Sequence, residues 1–198
     1  MPVSARKTFI TPEEYLAIER AAEFKSEYYD GQMYAMAGTT RLHNLITLNL
    51  SRELGLQLKE RPCELYSMDI RVRINATGLY TYPDIAITCD QPQFVDGVLD
   101  TLLNPQVILE VLSTTTGKWD RDGKFAQFRQ IASLRQYVLI GQKVPSIERY
   151  DRQDDDTWLQ TDIAWPDGVL ILDSVGVAIS LRDIYFKVLP IDQRFEPH

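Results

Sequence analysis

The chain has 198 residues, 44% of them hydrophobic, enough to bury a core, and its length favours one domain over residues 1–198 with a core from about 10 to 190. No apolar run approaches the roughly 20 residues that cross a bilayer, so no membrane partner is expected. A net charge of -7 argues against nucleic-acid binding by bulk electrostatics, while only two cysteines, Cys63 and Cys89, and no leader-like start at Met1 to Ala5 argue against secretion and a disulfide framework and for a cytoplasmic protein.

Thr11-Pro12-Glu13-Glu14 has the pattern of a capping box with proline at the first helical position, which predicts a helix ending near Glu23. Ser26 to Met36 reads as two short strands around an Asp30-Gly31 turn, with Glu27 on the first arm as a solvated strand carboxylate. From Thr39 or Thr40 to about Leu58, leucines and Ile46 recur at helical spacing, with His43 in the first turns. A lone histidine there reads first as a hydrogen-bonded structural residue. Glu64 to Ile74 alternates from Met68 onward and reads as a half-exposed strand, with Arg71 and Arg73 on one face, solvated or touching phosphate.

Thr81 to Cys89 is a β-branched run that reads as a buried strand, with Asp84 near its start just after Pro83. A loop from Asp90 to Asn104 leads to Pro105 to Ser113, an almost continuous apolar run that reads as a central strand interrupted by Glu110. Lys118 to Ile131 then has the spacing of an amphipathic helix, with Asp120 and Lys124 on one side of it. Leu134 to Ile140 reads as a fourth core strand. Ser146 to Tyr150 with Thr157 to Ile163 reads as a hairpin, Val169 to Leu172 and Val177 to Leu181 as further strands, Leu181 to Tyr185 as one helical turn, and Asp192 to His198 as a fraying end.

An unpaired carboxylate inside an apolar strand costs several kcal/mol, so Glu110 needs a cation, a proton or a metal beside it. Taken singly, Asp84 is an ordinary strand entrance, Glu110 a partnered buried acid and Lys124 a solvent-facing lysine. Together, two acids on strands followed by a lysine on a helix match metal-dependent phosphodiester cleavage, in which hard oxygen ligands hold the ion and an ammonium orients the attacking water.

The order Pro83-Asp84, then Glu110-Val111-Leu112, resembles the PD-(D/E)XK nuclease superfamily, with Leu112 standing where that pattern carries its lysine. A closer resemblance, over about residues 10 to 190, is to the Uma-type family, bacterial proteins assigned as endonucleases and catalogued as a domain of unknown function. Glu27, Asp30-Gly31, His43, Pro83-Asp84, Glu110-Val111-Leu112-Ser113, Asp120, Lys124 and Tyr137-Val138-Leu139 carry it. The resemblance implies an α/β (α+β) restriction-endonuclease-like fold, a mixed central sheet flanked by helices with extra antiparallel strands on the C-terminal side. It implies that Lys124 inherits the role of the missing strand lysine, that Glu27 is a third acidic site residue and that His43 lies near the site.

The implied mechanism has Asp84, Glu110 and the main-chain carbonyl of Val111 holding Mg²⁺ or Mn²⁺ and Lys124 orienting water, which requires Lys124 to reach both carboxylates. The expected partner is nucleic acid, DNA first. A homodimer is expected because cutting two strands suits a two-fold pair of sites and because sheet edges and Trp158 or Trp165 could be covered that way. Basic residues cluster around the acids: Arg41, Arg52, Lys59, Arg61, Arg71 and Arg73 before them, Lys118, Arg121, Lys124, Arg129 and Arg135 after. The rival readings are a catalytically silent homodimeric nucleic-acid-binding or regulatory module, and an enzyme acting on RNA or a nucleotide. Serine or cysteine hydrolysis is poorly supported, with only His43 and His198 available as bases.

Overall fold

The computed structural model describes residues 9–36, 38–113 and 119–188. The expectations for Met1 to Ala5, Thr114 to Lys118, and Asp192 to His198 therefore lie outside the described residues. Helix α1 (Pro12–Ala21) opens with the expected capping box, Thr11 and Glu14 bonding each other's backbone N–H. Strands β1 (Ser26–Tyr29) and β2 (Gln32–Ala35) close on Asp30 and Gly31, whose φ values of 47° and 71° are those a two-residue hairpin turn requires. Helix α2 (Arg41–Leu58) follows, then β3 (Glu64–Ser67), β4 (Arg71–Ile74), β5 (Leu79–Thr81), β6 (Ile85–Thr88), β7 (Thr101–Leu102) and β8 (Val107–Leu112). A π-helical turn, Trp119–Lys124, runs into a short α3 (Phe125–Phe128), followed by β9 (Gln136–Gly141), β10 (Ser146–Arg152), β11 (Trp158–Ala164), β12 (Val169–Leu172), β13 (Val177–Ser180) and α4 (Leu181–Ile184).

The strands form a five-stranded sheet in the order β2-β1-β5-β4-β7, a six-stranded sheet in the order β11-β10-β9-β8-β6-β3, and a β12-β13 hairpin. The six-stranded sheet is mixed: β8 and β9 are parallel, its other pairs antiparallel. Two runs expected as single strands are split between the sheets. The first breaks at Met68, whose φ of 55° ends β3, and the second at Pro83, which has no N–H to give a ladder. The two crossovers are joined, since the Met68 N–H donates to the Asp84 carbonyl at 3.0 Å.

Each face of the six-stranded sheet has its own core, as the two-residue period of a strand dictates. Val107, Leu109, Val111, Val138 and Ile140 pack on Ile46, Leu50 and Leu54 of α2 and on the β12-β13 hairpin. On the other face Ile108, Leu112, Tyr137 and Leu139 pack on Phe128, Ile131 and Leu134 and on Val72, Ile74 and Leu79 of the first sheet.

The cysteines correct an expectation: Cys63 and Cys89 form a disulfide. They flank β3 and β6, whose antiparallel register pairs Glu64 with Thr88, so the next step along the ladder sets the two cysteines opposite each other. The sequence separation of 26 corresponds, in the chain-entropy account, to roughly 3.5 kcal/mol of stabilisation. Cysteine usage thus gives no argument for a reducing compartment. Among the described residues no helix is long and apolar enough to cross a membrane.

Candidate active site

Asp84 lies on the crossover between the sheets, one residue before β6. The antiparallel register of Ile85 with Leu109 sets it opposite Glu110, and side chains opposed in this way project from the same side of a sheet. Glu110 alternates with Ile108 and Leu112, so it enters the layer beneath the helical segment 119–128. That segment begins with π-helical geometry, which is concentrated at functional sites.

Lys124 ends the π-helical turn, and its ammonium lies 3.2 Å from Glu27 Oε1, 3.3 Å from Glu110 Oε1 and 3.7 Å from Asp120 Oδ1. The Thr81 hydroxyl also donates to Glu27 Oε1, because the pairing of Tyr28 with Tyr80 brings these neighbours together. The Tyr137 hydroxyl donates to the Asp120 carbonyl at 2.9 Å and ties the turn to β9.

The expected contact between Lys124 and Asp84 does not form. Asp84 Oδ2 instead accepts the Val111 N–H at 2.7 Å and lies 3.1 Å from His43 Nε2. Three acids therefore meet Lys124 directly, and Asp84 joins through the strand that carries Glu110. Val111, expected to act through its carbonyl, makes its contact here through its amide. Thr81 is not legible as a site neighbour, since only strand pairing brings it close; His43 and Tyr137 carry a signal in the family order, but without a partner.

Burial pushes the Glu110 carboxyl well above its ordinary range; Lys124 opposes that shift, but the charges of Asp84, Asp120 and Glu27 add to it. Burial pulls the Lys124 ammonium down, yet Glu110, Glu27 and Asp120 outweigh it and hold the group above the ordinary lysine value. Burial, then the charges of Glu110 and Asp120, drives the Tyr137 hydroxyl up as well, so it stays a neutral donor. The centre is thus one fixed ammonium among four acids, with charge left over on the acidic side. Glu110 is 4% exposed, but the side chains of Asp84 and Glu27 keep 14% and 18% of their surface, so the acidic edge is the one water reaches.

The oxygens are unequally used. Oδ2 of Asp84 and Oε1 of Glu110 are engaged, while among the described residues no donor reaches Oδ1 of Asp84 or Oε2 of Glu110. Among the described residues no three His, Cys, Asp or Glu side chains gather into a ready-made metal cage. One or two carboxylates completed by waters and phosphate oxygens are what Mg²⁺ ordinarily uses, so this hard, electron-rich pair fits such an ion.

The basic residues expected around the site divide. Arg71 is neither solvated nor free for phosphate: it is buried and bonded to Asp100, Tyr82 and Thr101. Arg121 pairs with Glu148 and Arg52 with Glu53. Arg41, Arg129 and Arg135 are exposed and make no ion pair among the described residues. A cavity of about 570 Å³ lined by Gln106, Arg135, Gln136, Arg149 and Asp151 opens at the other end of β8 and β9 and contains none of the site residues.

A solved structure described as "a putative nuclease belonging to DUF820 from Anabaena variabilis" matches with a TM-score of 0.74 at 18% identity, covering 91% of this chain and 99% of that one. The likeness places this mixed α+β architecture in the restriction-endonuclease-like fold class. Two uncharacterized proteins of Synechocystis sp. (strain ATCC 27184 / PCC 6803 / Kazusa), sll1609 and slr1290, are 37% and 35% identical over 163 and 176 residues, covering 82% and 89% of this chain and 92% and 91% of their own. The model of the Uma2 family, described as "Putative restriction endonuclease", matches residues 12–182. With that match spanning most of its length, the chain belongs to the Uma2 family.

Proposed function

We propose that the chain is a divalent-metal-dependent nuclease that hydrolyses phosphodiester bonds, with DNA as substrate and a pair of chains acting on the two strands. The observation that carries this reading is the buried Glu110, pressed toward its neutral form, beside Asp84 with one oxygen of each unengaged. A cation between them would offset the excess negative charge that burial makes costly. Asp84 and Glu110 would hold Mg²⁺ or Mn²⁺, and the Val111 carbonyl is the third candidate ligand. The ion, when bound, supplies Lewis-acid chemistry: it acidifies water and draws electron density from the phosphoryl group.

The remaining work falls to the chain's own side chains. The Lys124 ammonium, held by Glu27, Glu110 and Asp120, is a fixed positive charge that orients the attacking water and stabilises charge growing on phosphorus-bound oxygen. Glu27 keeps that ammonium from drifting. Because Lys124 is held above its ordinary pKa, it acts as a permanent cation and hydrogen-bond donor, not as a general base.

The test is cleavage of plasmid, single-stranded DNA, RNA and nucleotides in Mg²⁺, Mn²⁺ or EDTA, with Asp84→Ala in parallel. Cleavage of DNA that requires either ion and disappears in the variant is the expected result. Preference for RNA or a nucleotide would change the substrate, and no cleavage of any of them with either ion would leave a silent binding module.

A further inference from the structure

The first turn of α2 is tied to the acidic centre more firmly than helix packing needs. Thr40 caps the helix, its Oγ1 accepting the His43 N–H at 3.2 Å, and the same hydroxyl donates to Gln142 Oε1 at 2.6 Å, just past the end of β9. This fixes His43, 7% exposed, over the crossover, with Nε2 3.1 Å from Asp84 Oδ2 and Nδ1 3.5 Å from Thr47 Oγ1. At that ion-pair distance the imidazole edge lies directly against Oδ2.

The Val111 amide reaches the same oxygen. The amide and the imidazole edge thus converge on Oδ2, and Oδ1 is the oxygen to which no donor among the described residues is directed. A buried imidazole that only filled a core position would need no such partner.

We propose that His43 is a positioning residue for Asp84: with the Val111 amide it clamps Oδ2 and so presents Oδ1 to the divalent cation. This rests on the metal-dependent reading above. His43 touches neither ion nor substrate; it sets the rotation of the carboxylate, the kind of support whose removal costs about 10- to 100-fold in metal affinity.

Mn²⁺ binding is measured by calorimetry on the wild type, His43→Ala and His43→Gln, with Tm recorded for each. Gln keeps an N–H donor at nearly the reach of Nε2. His43→Ala is expected to weaken Mn²⁺ by about 10- to 100-fold. His43→Gln should recover most of that loss, whatever the order of the Tm values. A role in packing alone would make affinity follow Tm and not the donor. Undiminished Mn²⁺ affinity in His43→Ala overturns the proposal, and so does equal weakening in both variants. A wild type that binds no Mn²⁺ fails differently, removing the metal-dependent reading itself and this inference with it.

Discussion

Glu110→Gln is expected to abolish metal-dependent cleavage while leaving the protein as stable as the wild type or more so. The substitution removes one of the two anionic ligands on which the ion depends. Lewis-acid stabilisation is worth several kcal/mol, so activity should fall by on the order of 10³-fold or more. Stability moves the other way because Glu110 is an acid in the wrong place for folding. Its carboxyl is raised above the ordinary 4.5 by burial first, then by Asp84, Asp120 and Glu27 against the pull of Lys124.

A carboxyl raised in the folded state contributes stability that is complete below about pH 4.5 and is lost as pH rises through its folded value. The wild type therefore bears, at neutral pH, the cost of holding a buried acid away from its ordinary titration, and the amide does not. Lys124 keeps Glu27 at 3.2 Å and Asp120 at 3.7 Å, so it is not orphaned. Thermal unfolding of both proteins at pH 5 and pH 8 checks this: the advantage of Glu110→Gln should grow toward pH 8, and a large loss of Tm would contradict it.

Lys124→Met is the converse case, and both activity and stability should collapse together. Removing the ammonium leaves Glu27, Glu110 and Asp120 facing one another, two of them buried, without the charge that holds them. Breaking a buried ion pair by deleting one partner costs about 3–5 kcal/mol. For a chain of this size that is a fall in Tm of roughly 6–20 °C. The pH dependence has its own sign. Lys124 is raised above the ordinary 10.5, so its contribution is complete below about pH 10.5 and is lost as pH rises through the folded value. The gap between wild type and Lys124→Met should narrow above that point. A variant within 2 °C of the wild type, by the same scaling, would mean the cluster carries almost no net stabilisation.

Much of this architecture was legible from residue order alone. Asp30-Gly31 announced a tight hairpin because few other pairs tolerate two positive φ values, and the unbroken apolar run around Glu110 announced a strand covered on both faces. What escaped were features set by tertiary pairing. Period-two patterning cannot show that a chain changes sheets, so the breaks at Met68 and Pro83 passed as continuous strands. The same blindness hid the disulfide: Cys63 and Cys89 become neighbours only once β3 and β6 pair. The expected amphipathic helix proved to be a π-helical turn and one short α-helical turn, since apolar spacing does not distinguish these geometries.

The site shows the same division. Asp84, Glu110, Glu27 and Lys124 could be named as candidates from their order in the family pattern, and Glu110 and Glu27 meet at the Lys124 ammonium. Of the two acids expected to meet Lys124, Glu110 does and Asp84 does not, because Asp84 is taken by the Val111 amide and lies against His43, a choice made by the β6-β8 register and by the placement of α2.

The most direct measurement is a crystal of the protein grown or soaked with Mn²⁺ and examined by anomalous scattering. The account predicts one peak within coordination distance of Asp84 Oδ1 and Glu110 Oε2, with Lys124 still paired to Glu27. A Mn²⁺ peak elsewhere with none between these two carboxylates, or no peak at all at saturating ion, would contradict it.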